Sequence, residues 1–218
     1  MDKFSLSLKI NRLNIENNLM KYTTFLLFLI FISFALQIFI KGYTQAFALI
    51  PKNVVEDLEI YRIITSIFLH GDFLHLFFNS FALFMFGGVL EKIIGPKKFL
   101  LLFFLSGIIG SIAYILTSFL LGEFNVPALG ASGAIYGIIG ALAVLRPTTI
   151  VLIYFTPIPL LFLAFFWIIT ESLATLLQFF GAKSGIASQA HLAGLLFGMF
   201  IGLRIKERYK GIKVKYEF

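Results

Sequence analysis

Three clusters of residues in this chain have the types and spacing to do chemistry, and none contains a cysteine. The first is Gly130-Ala131-Ser132-Gly133-Ala134-Ile135-Tyr136-Gly137. A hydroxyl in an apolar helix ordinarily bonds the carbonyl four residues back. Ser132 instead sits between glycines at the start of a short apolar run, where small neighbours leave backbone N–H groups approachable and helix-start N–H groups favour an anion. Tyr136, four residues on, shares its face. The second is Ala190-His191-Leu192-Ala193-Gly194, a histidine at the head of a stripe continued by Gly198 and Gly202. Packing accounts for the small residues but not for the imidazole. The third is His70-Gly71-Asp72-Phe73-Leu74-His75, followed by Asn79. His75 and Asn79 are i, i+4 on one helix face, so their donors can converge on a developing oxyanion. A metal site of His70, His75 and His191 is the competing reading. The spacing of His70 and His75 does not put both imidazoles on one face, and no carboxylate completes a zinc hydrolase set.

The elements that must position these residues are apolar. With 59% hydrophobic residues, 13% charged and a mean hydropathy of +0.95, the chain has too few polar side chains to cover a soluble domain of 218 residues. A spanning helix needs about 20 mainly apolar residues. The sequence predicts six: 22–40, 72–90, 99–121, a shorter glycine-rich run over 129–145, 159–180 after a stretch broken by prolines, and 187–205. The first run is too long for a signal-peptide core and reads as a retained helix. Ala190, Gly194, Gly198 and Gly202 repeat every four residues, the spacing that lets helices approach closely, and Gly133, Gly137 and Ala141 offer a matching stripe. Pressing the two together brings His191 to Ser132.

The net charge of +7 comes from basic residues at the ends of apolar runs rather than from one aromatic-interleaved surface, which argues against a nucleic-acid partner. Placing both termini on the cytoplasmic side puts fourteen of the eighteen Lys and Arg residues inside, leaving Lys41, Lys52, Arg62 and Lys183 outside. The domain reading is a cytoplasmic N-terminal segment over 1–21, a six-span domain over 22–205 and a basic cytoplasmic tail over 206–218. The one long connection, about 41–71, leads directly into the histidine-rich second span.

Gly-Ala-Ser-Gly around Ser132, Ala-His-x-x-Gly-x-x-x-Gly from Ala190 to Gly198, and His-x4-His-x3-Asn from His70 to Asn79 together resemble the rhomboid intramembrane serine proteases over roughly residues 55–205. The resemblance implies an all-α membrane protein, a six-transmembrane-helix bundle with a water-filled active-site cavity opening outward. It implies Ser132 as nucleophile and His191 as base in a dyad. It also implies an oxyanion site of His75, Asn79 and the Ser132 N–H, with Gly130 supporting the site and Tyr136 packed on the catalytic histidine. Where the family has Trp-Arg in its first outer loop, this chain has Tyr61-Arg62.

On this reading Ser132 Oγ attacks a peptide carbonyl while His191 takes its proton, and water hydrolyses the acyl-enzyme. No metal or cofactor is needed. Substrates are transmembrane segments of other membrane proteins, which must unwind locally and pass between the second and fifth spans. No Asp or Glu adjoins His191 in sequence to orient it; Glu171, a carboxylate in the fifth span, could contact His191 or pair with a polar group near the outer surface. A client-binding relative without catalysis, or a small transporter, are the rivals. Intact Ser132 and His191 argue against the first, and the absence of paired broken helices against the second. The compact build without a transit-type leader points to a prokaryotic plasma membrane.

Overall fold

The computed structural model describes residues 20–209 except Tyr154 and Ser184, so most of the segment read as N-terminal and the tail beyond Tyr209 lie outside the described residues. The chain is mostly helical. Helix α1 spans Lys21–Phe39. The first long connection carries α2 (Tyr43–Phe47), α3 (Pro51–Val55), α4 (Arg62–Thr65) and a short 3₁₀ turn at Ser66–Phe68. Helices α5 (Phe73–Ala82) and α6 (Gly88–Ile94) are joined by a π-helical turn at Leu83–Gly87, so the second apolar run is continuous over Phe73–Ile94. Next come α7 (Pro96–Leu121), α8 (Ser132–Leu145), a hairpin of β1 (Ile150–Ile153) and β2 (Thr156–Pro159), α9 (Leu160–Phe179) and α10 (Ser188–Tyr209).

The run boundaries fall within a few residues of the predicted ones, because the punctuation is local. Pro96 occupies the first turn of α7, and Gly122, with φ +72°, ends it. Two details differ from expectation. The proline-broken stretch is an antiparallel ribbon, Ile150 opposite Pro159 and Ile153 opposite Thr156, a small addition to a mostly helical fold; an isolated two-stranded ribbon tolerates the prolines that a central strand would not. Helix α10 also runs four residues into the segment read as tail, through Lys206 and Arg208.

Among the described residues five helices are long and apolar enough to cross a membrane, and α8 is a further, shorter apolar helix. Helix α8 is the centre of the bundle: Gly133, Ile135, Ile138, Leu142 and their neighbours are buried along nearly its whole length. It packs against α10 and α7 with little between the backbones. A Cβ added to Gly194 would lie 2.1 Å from the Gly133 carbonyl oxygen, and one on Gly198 would lie 1.9 Å from that of Gly137. The two small-residue stripes do face each other. By contrast α9 is sparsely packed, with 17% of its apolar stretch buried against 50% for α7.

The start of α1 is fixed by a residue far along the chain. Met20, at its N-cap, supplies no side-chain bond. Glu91, buried at 2% exposure, instead accepts from the Tyr22 N–H (2.9 Å), the Thr23 N–H (2.8 Å) and the Thr23 hydroxyl (2.8 Å). A carboxylate there satisfies free helix-start donors and meets the positive end of the helix dipole.

Candidate active site

Ser132 is the first residue of α8, and its position is set by the turn before it. Gly130 has φ +124°, a conformation open to glycine and strained for other residues. Its N–H donates to the Ser66 carbonyl at 2.9 Å. A Cβ at this position would fall 2.7 Å from His75 Nε2, so the absence of a side chain is also what lets the imidazole approach the turn. Leu49 and Ala128 exchange backbone hydrogen bonds of 2.9 and 2.8 Å, tying the first long connection to the strand-like approach to Ser132.

His191 lies in the first turn of α10, whose stripe of small residues brings it onto the start of α8. Its Nε2 is 2.7 Å from Ser132 Oγ, a full hydrogen-bond contact. Its ring stacks on Tyr136 at a centroid distance of 4.5 Å and an interplanar angle of 7°. Nδ1, on the far side, is 3.1 Å from Glu171 Oε1, and the Tyr136 hydroxyl donates to the same oxygen at 2.9 Å. Of the two partners left open for Glu171 by the sequence, the fold selects His191 and adds Tyr136. The signal was present: a carboxylate within an apolar span is costly and marks function by default. What the sequence could not supply was the approach of α9 to α8 and α10.

His75 and Asn79 occupy successive turns of α5. Asp72 caps that helix, its carboxylate accepting from the His75 N–H at 2.8 Å, a role an Asp just before an apolar run could have announced. His75 Nδ1 faces the Gly71 N–H at 3.4 Å, while its Nε2 side lies against Gly130. Asn79 is buried, and its amide donates to the His75 carbonyl at 3.1 Å; its donor is engaged on its own helix. His70 is packed edge-on against His75, with centroids 5.0 Å apart at 70°. Burial, with the neighbouring His75 as the next cause, pushes the His70 pKa down to about 3, so it is neutral at ordinary pH. Its backbone is held by Gln37 of α1, which donates to the His70 carbonyl and accepts from its N–H, each at 3.0 Å. No sequence pattern marks Gln37.

Tyr61 and Arg62 anchor the first long connection. Arg62 is buried, and its Nη1 donates to the Gln45 and Ala48 carbonyls at 2.7 and 2.8 Å. Tyr61 reaches the Ala46 carbonyl at 3.1 Å, so a phenol stands in the loop where the resemblance leads one to expect an indole. The Arg62 hydrogen bond is the main reason that the Glu59 carboxyl is held below the usual carboxylate range. A cavity of about 30 Å³ adjoins Ser132, lined mainly by apolar residues such as Leu49, Ile67 and Leu129, with Ser66, Ser111 and Tyr114 among them; by volume that is room for at least one water.

Comparison with known proteins points to one family. The family model described as the rhomboid domain matches residues 57–208. The Bacillus subtilis protein named "Putative rhomboid protease YdcA" is 37% identical over 155 residues, covering 69% of this chain and 71% of that protein. Rhomboid protease GluP, also of Bacillus subtilis, is 40% identical over 97 residues, 44% of this chain and 18% of GluP. Inactive RHOMBOID-like protein 8 of Arabidopsis thaliana is 37% identical over 91 residues, 42% of this chain and 24% of that protein. The chain thus spans most of the first relative but a quarter or less of the other two.

Proposed function

The chain belongs to the rhomboid family, a multi-pass membrane protein, and from that premise we propose that it is an intramembrane serine endopeptidase. Ser132 is the nucleophile, His191 the general base, and transmembrane segments of other membrane proteins are the substrates. The single observation that carries this reading is the 2.7 Å contact between His191 Nε2 and Ser132 Oγ, made by residues 59 positions apart and held by two facing small-residue stripes. A relative named as inactive makes the family name insufficient by itself; the intact pair is what favours catalysis over client binding.

In the reaction, the Ser132 hydroxyl gives its proton to His191 as Oγ attacks the scissile carbonyl, and the same proton passes to the leaving amine. The developing oxyanion is bound by the Ser132 N–H at the start of α8, by His75 beside Gly130, and by Asn79 once its amide turns from its own helix toward substrate. These donors are fixed in place before the charge develops, so each is worth more than a free donor in solution. Helix α8, with 14 residues, rises about 21 Å, short of a hydrocarbon core of about 30 Å. If its far end meets the cytoplasmic face, Ser132 lies inside the apolar thickness. Hydrolysis there requires an outward-opening, water-filled cavity among six spans, and the small space beside Ser132 is compatible with water reaching the nucleophile. The loose packing of α9 supports substrate access between the second and fifth spans. A substrate helix must expose a peptide bond to be cut, which favours small or helix-breaking residues at the site.

The test is purified protein in detergent or lipid with a single-span substrate. Cleavage is expected, and Ser132→Ala and His191→Ala should each reduce it to background. Cleavage that persists in Ser132→Ala would remove the assignment, and failure to cleave any of a panel of single-span substrates would favour client binding.

A further inference from the structure

Resting on that reading, we infer that Glu171 extends the pair to a triad: it is a positioning residue that fixes the tautomer and orientation of His191. The geometry is specific. An ionised carboxylate only accepts hydrogen bonds, so the contact of 3.1 Å between Glu171 Oε1 and His191 Nδ1 places the ring proton on Nδ1. Nε2 is then a bare acceptor, and it is the nitrogen that faces Ser132 Oγ. The Tyr136 hydroxyl, donating to the same Oε1 at 2.9 Å, holds the carboxylate in place while the Tyr136 ring holds the imidazole plane by stacking. One tyrosine of α8 therefore orients both partners, each supplied by a different helix.

The groups that surround the pair are consistent with this role. From α8 come Ser132 and Tyr136; from α5, His75 lies within electrostatic reach of His191; on α10 itself, Ser188 is a further hydrogen-bonding neighbour of the carboxyl. No lysine or arginine is among the groups that act on the Glu171 carboxyl. The positive charge for which a carboxylate buried to 9% exposure is placed is the imidazolium that forms when His191 takes the Ser132 proton. Glu171 itself neither gains nor loses a proton in the cycle: it accepts the Nδ1–H bond throughout and stabilises the charge during attack.

Two measurements test the inference independently of each other. In protein labelled with ¹⁵N-histidine, with His191 assigned by its absence in His191→Ala, the wild-type ring should show Nδ1 protonated and Nε2 bare at neutral pH. The opposite tautomer, or an even mixture, overturns the proposal whether or not a substrate is cleaved. In the cleavage assay, Glu171→Gln should lower kcat/KM by about 10²- to 10⁴-fold and move the acidic limb of its pH profile to lower pH, since the imidazolium loses its counter-charge. Wild-type activity that depends on Ser132 but is matched in rate and pH profile by Glu171→Gln leaves the protease reading standing and removes the role of Glu171. Inactivity of the wild type instead strikes the protease reading, and the tautomer then decides the proposal alone. Should Glu171→Gln fail to fold, the wild-type tautomer remains the deciding result.

Discussion

At the scale of single residues, the site depends on a side chain that is absent and on an imidazole that is held neutral. Gly130 must be glycine for two reasons at once, a φ of +124° and an approach of 2.7 Å between its missing Cβ and His75 Nε2. Gly130→Ala is therefore expected to leave the protein membrane-embedded but to cut kcat/KM at least tenfold, by displacing His75 and turning the Ser132 N–H; a steady-state assay on purified protein measures it. His70 bears on pH instead. Its folded-state pKa of about 3 lies below the ordinary value of about 6.5, so the folded protein resists a proton that the unfolded chain accepts. Its contribution to stability is complete above about pH 6.5 and is lost as pH falls toward 3. Thermal unfolding in detergent between pH 7 and 4 should show this loss, and His70→Phe, which keeps a ring against His75, should flatten it.

At the scale of elements, two contacts hold the bundle, and the first also sets where the proposed catalytic residues sit. The α8–α10 seam is backbone against backbone, so no rotamer change can relieve an added group. Gly198→Ala, whose Cβ would meet the Gly137 carbonyl at 1.9 Å, should cost about 1–3 kcal/mol and lower activity by separating His191 from Ser132. A lowered melting midpoint with a matching drop in turnover would show both. The other contact is the cap that Glu91 places on α1. Hydrogen bonds to a buried charge are worth about 1.5–3 kcal/mol each. Glu91→Ala is therefore expected to lower the melting midpoint clearly, and Thr23→Val, which removes one of the three bonds, to lower it less. Glu91 is part of the second apolar run yet contacts α1 rather than the site, so activity per folded molecule should change little in either variant.

At the scale of the whole molecule, the distribution of Lys and Arg residues predicts an orientation with both termini cytoplasmic. The natural absence of cysteine makes it directly testable: Lys52→Cys in the outer connection should react with a membrane-impermeant maleimide from outside intact cells, and Lys97→Cys only after permeabilisation. The reverse pattern would invert the topology. The apolar runs, their punctuation by proline and glycine, and the two small-residue stripes were all legible in the sequence, because each is a local pattern with a fixed helical period. Ser132, His191, His75 and Asn79 were legible because polar groups in apolar runs are costly and few. The hairpin at 150–159 was not, since prolines mark a break without saying what fills it. Nor were the long-range partners: Glu91 on α1, Gln37 on His70, and Glu171 on His191. Period and composition say which face of a helix is apolar, but not which neighbour it meets. The rotation that turns Glu171 toward His191 rather than toward the outer surface is set by how α9, α8 and α10 pack, and only the tertiary structure contains it.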